Sequence, residues 1–289
     1  MLTNNGKNLL LRYLANVSPG FVREIGVGIG SKPASEDDTR LDFEVARVTV
    51  TTGSIVGSTN EIIYNASLAS IDEYTVKEIG LFPVSTSAAG VPVRGALLTT
   101  FEPGDGSIFE DSVTPPANQE SRYISKSNAV EVPSAAGLKI GTSAAYLRQG
   151  ASVSFPSLGD YSQYGPNDEI NIAFGSGASS YNLSVELFDT AGNSKIISIT
   201  GTASPENSYY YAIKSTLIGT QTINFASLSQ IKITNNGSSY VVLDGIRFEE
   251  VDLANPLNSI VARQVITPSK EKFNGFETDV EYRLTVDWS

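Results

Sequence analysis

The sequence predicts a mainly β protein in two parts: a domain of mixed sheet with one N-terminal helix, and an antiparallel jelly-roll β-sandwich inserted into it. Three observations predict it. Only one stretch, near the N-terminus, repeats its apolar residues at helical spacing. Between residues 129 and 252, short β-forming runs alternate with turn residues such as Asp189-Thr190-Ala191-Gly192-Asn193 and Asn235-Asn236-Gly237-Ser238, the pattern of a sandwich. Residues 256–289 then alternate like strands that need a sheet, although the sandwich already has a closing strand at Tyr240–Phe248.

Composition narrows the function classes. The chain has 31 acidic against 20 basic residues and a formal net charge of −11, so it repels phosphate backbones and nucleic acid is not an expected partner. It has no cysteine and no histidine, which removes disulfides, thiolate nucleophiles, the commonest general base and the usual zinc ligands. There is no G-x-S-x-G elbow, P-loop, H-E-x-x-H or EF-hand loop. The acids are scattered over predicted turns, so no enzyme is expected. No basic segment precedes a long apolar run at the N-terminus, and no run is long enough to span a membrane.

In order, residues 3–16 read as a helix capped by Thr3 or Asn5, with Leu9, Leu10, Tyr13, Leu14 and Val17 as the stripe laid on a sheet. Strands follow at Phe21–Ile29, Leu41–Thr51, Glu61–Leu68, Ile71–Phe82 and Val91–Phe101. Gly26-x-Gly28-x-Gly30 leads into a loop rather than a helix, so it reads as strand glycines packed under the opening helix and not as a phosphate site. Glu36-Asp37-Asp38 reads as a solvated loop, and Glu44 with Arg47 as a partly buried ion pair within the sheet or at a subunit contact. Pro103-Gly104 and Pro115-Pro116 punctuate a connector over 102–128. The sandwich occupies 129–255, with a linker at its end, and the strands after it complete a discontinuous domain of 1–101 plus 256–289. If so, Val280, Tyr282, Leu284 and Val286, or the opposite set with Trp288, pack near Ile79 and Leu81.

Two resemblances attach to these residues. The opening helix, Glu24-Ile25-Gly26-Val27-Gly28, the Leu41–Arg47 segment and Val76-Lys77-Glu78-Ile79-Gly80-Leu81-Phe82 together resemble the head domain of tailed-phage tail-fibre and baseplate structural proteins. That resemblance implies a structural component of a virion, made in the host cytoplasm and bound to other tail or baseplate proteins. It also implies homo-oligomers, since such heads often occur as trimers. Separately, Phe225–Ile233 with Tyr240–Phe248 is similar to the closing strands of galactose-binding-like carbohydrate-binding modules. That similarity implies a structural calcium ion, for which Asp244 is the residue carried over, and otherwise no cofactor. The alternative for Asp244 is a turn or a pair with Arg247. It also implies a surface glycan as ligand. The aromatics Tyr161, Tyr164, Tyr209 and Tyr211, with Tyr210 between the last two, are the candidates to stack on it, and at least one of the three consecutive tyrosines must face the core. The function expected is therefore a phage structural protein projecting a sandwich. A receptor-binding protein for host glycans is the alternative, ahead of a glycan-degrading enzyme.

Overall fold

A computed structural model describes residues 1–16, 21–30, 32–69, 73–83, 96–115, 120–132, 138–164, 168–202, 211–216, 222–249, 259–273 and 275–285. The chain is mainly β with one α-helix, and every ladder among the described residues is antiparallel. It divides into two compact units, Met1–Arg94 with Asp252–Ser289, and Gly95–Val251.

The first unit opens with α1 (Asn4–Leu14). Thr3 caps it by accepting the Gly6 N–H at 3.0 Å. Of the described residues of the expected stripe, Leu9 is fully buried and Leu10 partly so, whereas Tyr13 and Leu14 are exposed; Val17 lies outside the described residues. The helix is anchored at its start: Thr3 is buried, and its N–H and hydroxyl both donate to the Val261 carbonyl at 3.0 Å. Five strands follow: β1 (Glu24–Gly28), β2 (Glu44–Thr49), β3 (Thr52–Val56), β4 (Glu61–Leu68) and β5 (Tyr74–Phe82). After the inserted segment come β17 (Ala262–Lys272) and β18 (Thr278–Thr285). One sheet runs β17-β5-β1-β2 and the other β18-β4-β3. Tyr282 and Leu284 are buried in one cluster with Ile79 and Leu81, and Val280 packs against it. Val286, Trp288 and the linker of 253–258 lie outside the described residues.

The polar residues of this unit form two buried networks. Glu78, fully buried in β5, accepts N–H groups from Gly30 at 3.1 Å, Asp42 at 2.9 Å and Phe43 at 2.9 Å, and pairs with Arg263 at 2.8 Å. Arg263 in turn pairs with Asp38 at 2.9 Å and donates to the carbonyls of Lys32 and Pro33. Burial pushes the Glu78 carboxyl up, and Arg263 with the Asp42 and Phe43 amides opposes that push. Of the glycines expected under the helix, Gly28 and Gly30 make room for this carboxylate, and Gly26 for the Phe82 ring. A Cβ at Gly28 would lie 2.5 Å from both Glu78 Oε1 and the Phe43 carbonyl, and one at Gly30 would lie 2.6 Å from Glu78 Oε1. In the second network Arg47 grips Glu44, lies 3.8 Å from Glu24, and stacks 3.6 Å above the Phe82 ring. The acidic trio is split among partners: Glu36 pairs with Lys7, Asp37 accepts from Asn4, and Asp38 takes Arg263.

The second unit contains β6 (Ala96–Thr99), β7 (Ile108–Glu110), β8 (Arg122–Ser125), β9 (Ser143–Leu147), β10 (Ser152–Gly159), β11 (Glu169–Ser176), β12 (Ser180–Asp189), β13 (Ser194–Thr202), β14 (Tyr211–Thr216), β15 (Leu228–Asn235) and β16 (Val241–Glu249). One sheet runs β13-β12-β15-β10-β7, the other β14-β11-β16-β9-β8, and β6 also pairs with β16. Inward residues such as Ile172, Phe174, Leu183, Val185, Ile233 and Phe248 form one core. Three expectations need correction. Residues 102–128, expected as a connector with at most one short strand, hold two that join the sheets, because β7 pairs with β10 and β8 with β9. The strand near 91–101 belongs to this unit, because Leu97 and Thr99 stand across from Arg247 and Ile246. The run Val130–Ile140, which the alternation reads as a strand, opens instead on a 3-10 turn over Lys126–Val130; Val132 and Leu138 pack on the outer face of the six-stranded sheet, and 133–137 lie outside the described residues.

Candidate functional site

Alternation along β9 and β16 creates the outer face of the six-stranded sheet. Ala145 and Leu147 point into the core, which turns Ala144 and Tyr146 outward. Leu243 and Ile246 likewise face the core, and Val242 and Arg247 the other way. The ladder sets Tyr146 across from Val242 and Arg122 across from Tyr146.

At one end of this face sits an aromatic pair. Tyr146 and Tyr240 are half-buried, with ring centroids 5.5 Å apart and planes tilted by 35°. Behind them lies a small apolar cluster of Ile124, Val132, Leu138, Ala144 and Val242, which holds the rings without covering them. The Arg122 guanidinium is 5.5 Å from the Tyr146 ring centroid. Its Nη1 donates to the Glu120 carbonyl at 3.0 Å, and its Nη2 lies 3.5 Å from Glu131. Burial pushes the Tyr146 hydroxyl up, against the pull of Arg122 and Arg148. Such a surface can stack on the apolar face of a sugar ring while the hydroxyls and the guanidinium bond to its polar rim.

The other end of the face is polar and closed. Asn171, Arg247 and Glu249 are buried, the Asn171 amide donates to Glu249, and Arg247 Nε lies 3.9 Å from the same carboxylate. Asn171 stands across from Arg247 on one side and Lys214 on the other.

The residues singled out in the sequence fall elsewhere. Tyr164 is buried in the core, and Tyr161 packs beside it, both against the Phe248 ring at 5.4 and 5.7 Å. Their rings fill the sandwich interior, so Tyr164 offers no free face to a sugar. Tyr209 and Tyr210 lie outside the described residues. Tyr211 begins β14 across from Phe174, and its side chain is outside the description. Asp244 is the extra residue where the β11–β16 register shifts. Its Oδ2 accepts the Lys139 and Ile140 N–H groups at 2.7 and 3.1 Å, so it holds a turn. Glu102 holds the next residues, accepting the Thr142 and Ser143 N–H groups at 2.7 and 3.0 Å. These carboxylates are spent on backbone donors, and no group of three or more Asp, Glu, His or Cys suited to a metal ion occurs among the described residues.

Sequence reasoning missed Tyr146 and Tyr240. The signal was present: in Ser143-Ala144-Ala145-Tyr146-Leu147, Tyr146 is out of phase with the core residues Ala145 and Leu147.

No family model matches the chain, and no curated protein matches it. Structural neighbours of the chain include carbohydrate-binding modules. A family 11 module from Clostridium thermocellum, in complex with a β-1,3-1,4-mixed-linked tetrasaccharide, is 14% identical, with 55% of this chain and 97% of that one covered and a TM-score of 0.35. The CsCBM6-3 module of Clostridium stercorarium, in complex with cellobiose, is 15% identical over 50% of this chain and 93% of its own, with a TM-score of 0.31. A module specific for non-crystalline cellulose is 17% identical over 38% and 76%, with a TM-score of 0.30. These similarities are distant, and the two-sheet arrangement stands on its own ladders.

Proposed function

We propose that the chain is a non-catalytic glycan-binding protein, and that its second unit binds sugar on the Tyr146–Tyr240 surface. The carrying observation is that aromatic pair, half-buried, tilted and backed by its own apolar cluster on the outer face of a sheet. The absence of histidine and cysteine from the sequence removes the commonest general base and the thiolate nucleophile, so the competing glycan-degrading reading would need a pair of carboxylates. The test is a glycan array probed with the full chain, followed by titration of the best ligand into Tyr146→Ala and Tyr240→Ala. Each substitution is expected to weaken binding by at least about tenfold, as loss of a central aromatic anchor does. Wild-type affinity in both variants would overturn the reading.

A second, compatible reading rests on the sequence resemblance alone: the first unit as an assembly module of a tailed-phage tail fibre or baseplate, associating symmetrically as a trimer with other virion proteins. Within the unit the residues of that resemblance, Gly28, Phe43, Glu78 and Phe82 among them, have a packing role around the Glu78 and Arg47 networks. A reconstruction of the intact particle is expected to show the chain at the tail. A monomer in solution that is absent from every particle would refute this part.

A further inference from the structure

Resting on the glycan reading, we infer that the ligand of the Tyr146–Tyr240 surface carries an acidic group, as a uronic or sialic acid residue does, and that Arg122 recognises it. The chain as a whole is strongly acidic, at −11, yet arginine rather than carboxylate stands next to the aromatic pair. Arg122 reaches its place by register, directly across the ladder from Tyr146, and the Glu120 carbonyl fixes one edge of its guanidinium. Arg148, two residues along the chain from Tyr146, adds positive potential at the Tyr146 hydroxyl.

The negative groups nearby offset this only in part. Asp111 acts against the arginines at the Tyr146 hydroxyl, more weakly than either, and is held by the Ser121 N–H and hydroxyl at 3.1 and 2.7 Å. Glu131 meets Arg122 only at 3.5 Å, and its side chain is 68% exposed. An exposed pair of that length contributes little and exchanges readily. A ligand carboxylate resting on the tyrosine rings would meet the planar fork of donors with better geometry than Glu131 has. Glu131 then acts as a placeholder that an acidic sugar displaces and a neutral sugar does not.

The experiment measures binding of matched pairs to the full chain at low and high salt: 3′-sialyllactose against lactose, and trigalacturonate against its methyl ester. In at least one pair the acidic member is expected to bind about tenfold tighter at low salt, with the difference shrinking as salt rises. Arg122→Gln is expected to abolish the difference, and Arg122→Lys to keep part of it. Equal binding of acidic and neutral members overturns the inference while leaving the glycan reading standing. Undiminished discrimination in folded Arg122→Gln overturns the role of Arg122. If neither these probes nor any array glycan binds wild type, the glycan reading falls and this inference with it. The salt dependence of wild type decides the case even if the variants fail to fold.

Discussion

Glu78→Ala is expected to destabilise the first unit by about 3–5 kcal/mol. The wild-type carboxylate is fully buried and takes three backbone N–H groups and the Arg263 guanidinium. Removing it leaves those donors without an acceptor and leaves Arg263, itself 1% exposed, with Asp38 as its one carboxylate partner here. Solvent cannot replace the lost oxygens unless the sheet opens. The loss also reaches across the chain. Glu78 joins the loop ahead of β2 to β17, segments separated by the whole inserted unit. Glu78→Gln keeps an acceptor oxygen and the shape, and is expected to cost less than alanine. Differential scanning calorimetry with chemical denaturation checks this. The transition of the first unit should fall and that of the second stay in place. A loss below about 1 kcal/mol would mean that the network contributes little beyond filling space.

Phe248→Ala is expected to cost the second unit about 3–5 kcal/mol. The ring is fully buried, and Tyr161, Tyr164 and Phe225 pack around it with centroids 5.7, 5.4 and 6.0 Å away. Alanine leaves a cavity lined by three rings, and Tyr161 and Tyr164 belong to one turn that is tied to Phe225 by the Tyr161 N–H to Phe225 carbonyl bond at 2.8 Å, which limits how far the rings can move in to fill it. Phe248→Leu should cost less, since it restores most of the volume. The same calorimetry reads the effect, now on the transition of the second unit alone. A shift confined to the first unit would contradict the assignment of this core.

The fold class was legible because strand alternation depends only on local sequence. The turns at Asp189–Asn193 and Asn235–Ser238, the strand Glu61–Leu68 and the closing strand at Tyr240–Phe248 all follow from it. What alternation cannot report is the partner of a strand. Val91–Phe101 follows β5 in the chain, yet β6, within its described residues, pairs with β16, and pairing over that separation leaves no local mark. β7 and β8 were hidden for another reason: they are short and sit among prolines and glycines that dominate the reading. A fragment beginning at residue 129 would therefore leave three strands of its own sandwich behind.

The site was less legible than the fold. Tyr161 and Tyr164 look like platform residues in a loop-rich sequence, but the core needed aromatic volume against Phe248. Tyr146 and Tyr240 are far apart in sequence, and only the β9–β16 ladder makes them neighbours. Asp244 was visible as a polar residue in an apolar strand, but its task of holding Lys139 and Ile140 is a tertiary fact. The networks of the first unit were half visible. The Glu44–Arg47 pair was expected from the motif's charged residues, although only the register shift between β1 and β2 puts both on one face, whereas the partner of Glu78 lies in β17, on the far side of the inserted unit.

The most direct test of the glycan-binding account is chemical-shift mapping of the full chain with the best-binding array glycan. The account predicts perturbations centred on Arg122, Tyr146 and Tyr240 on the outer face of the six-stranded sheet. Perturbations confined to the five-stranded sheet or to the first unit would contradict it.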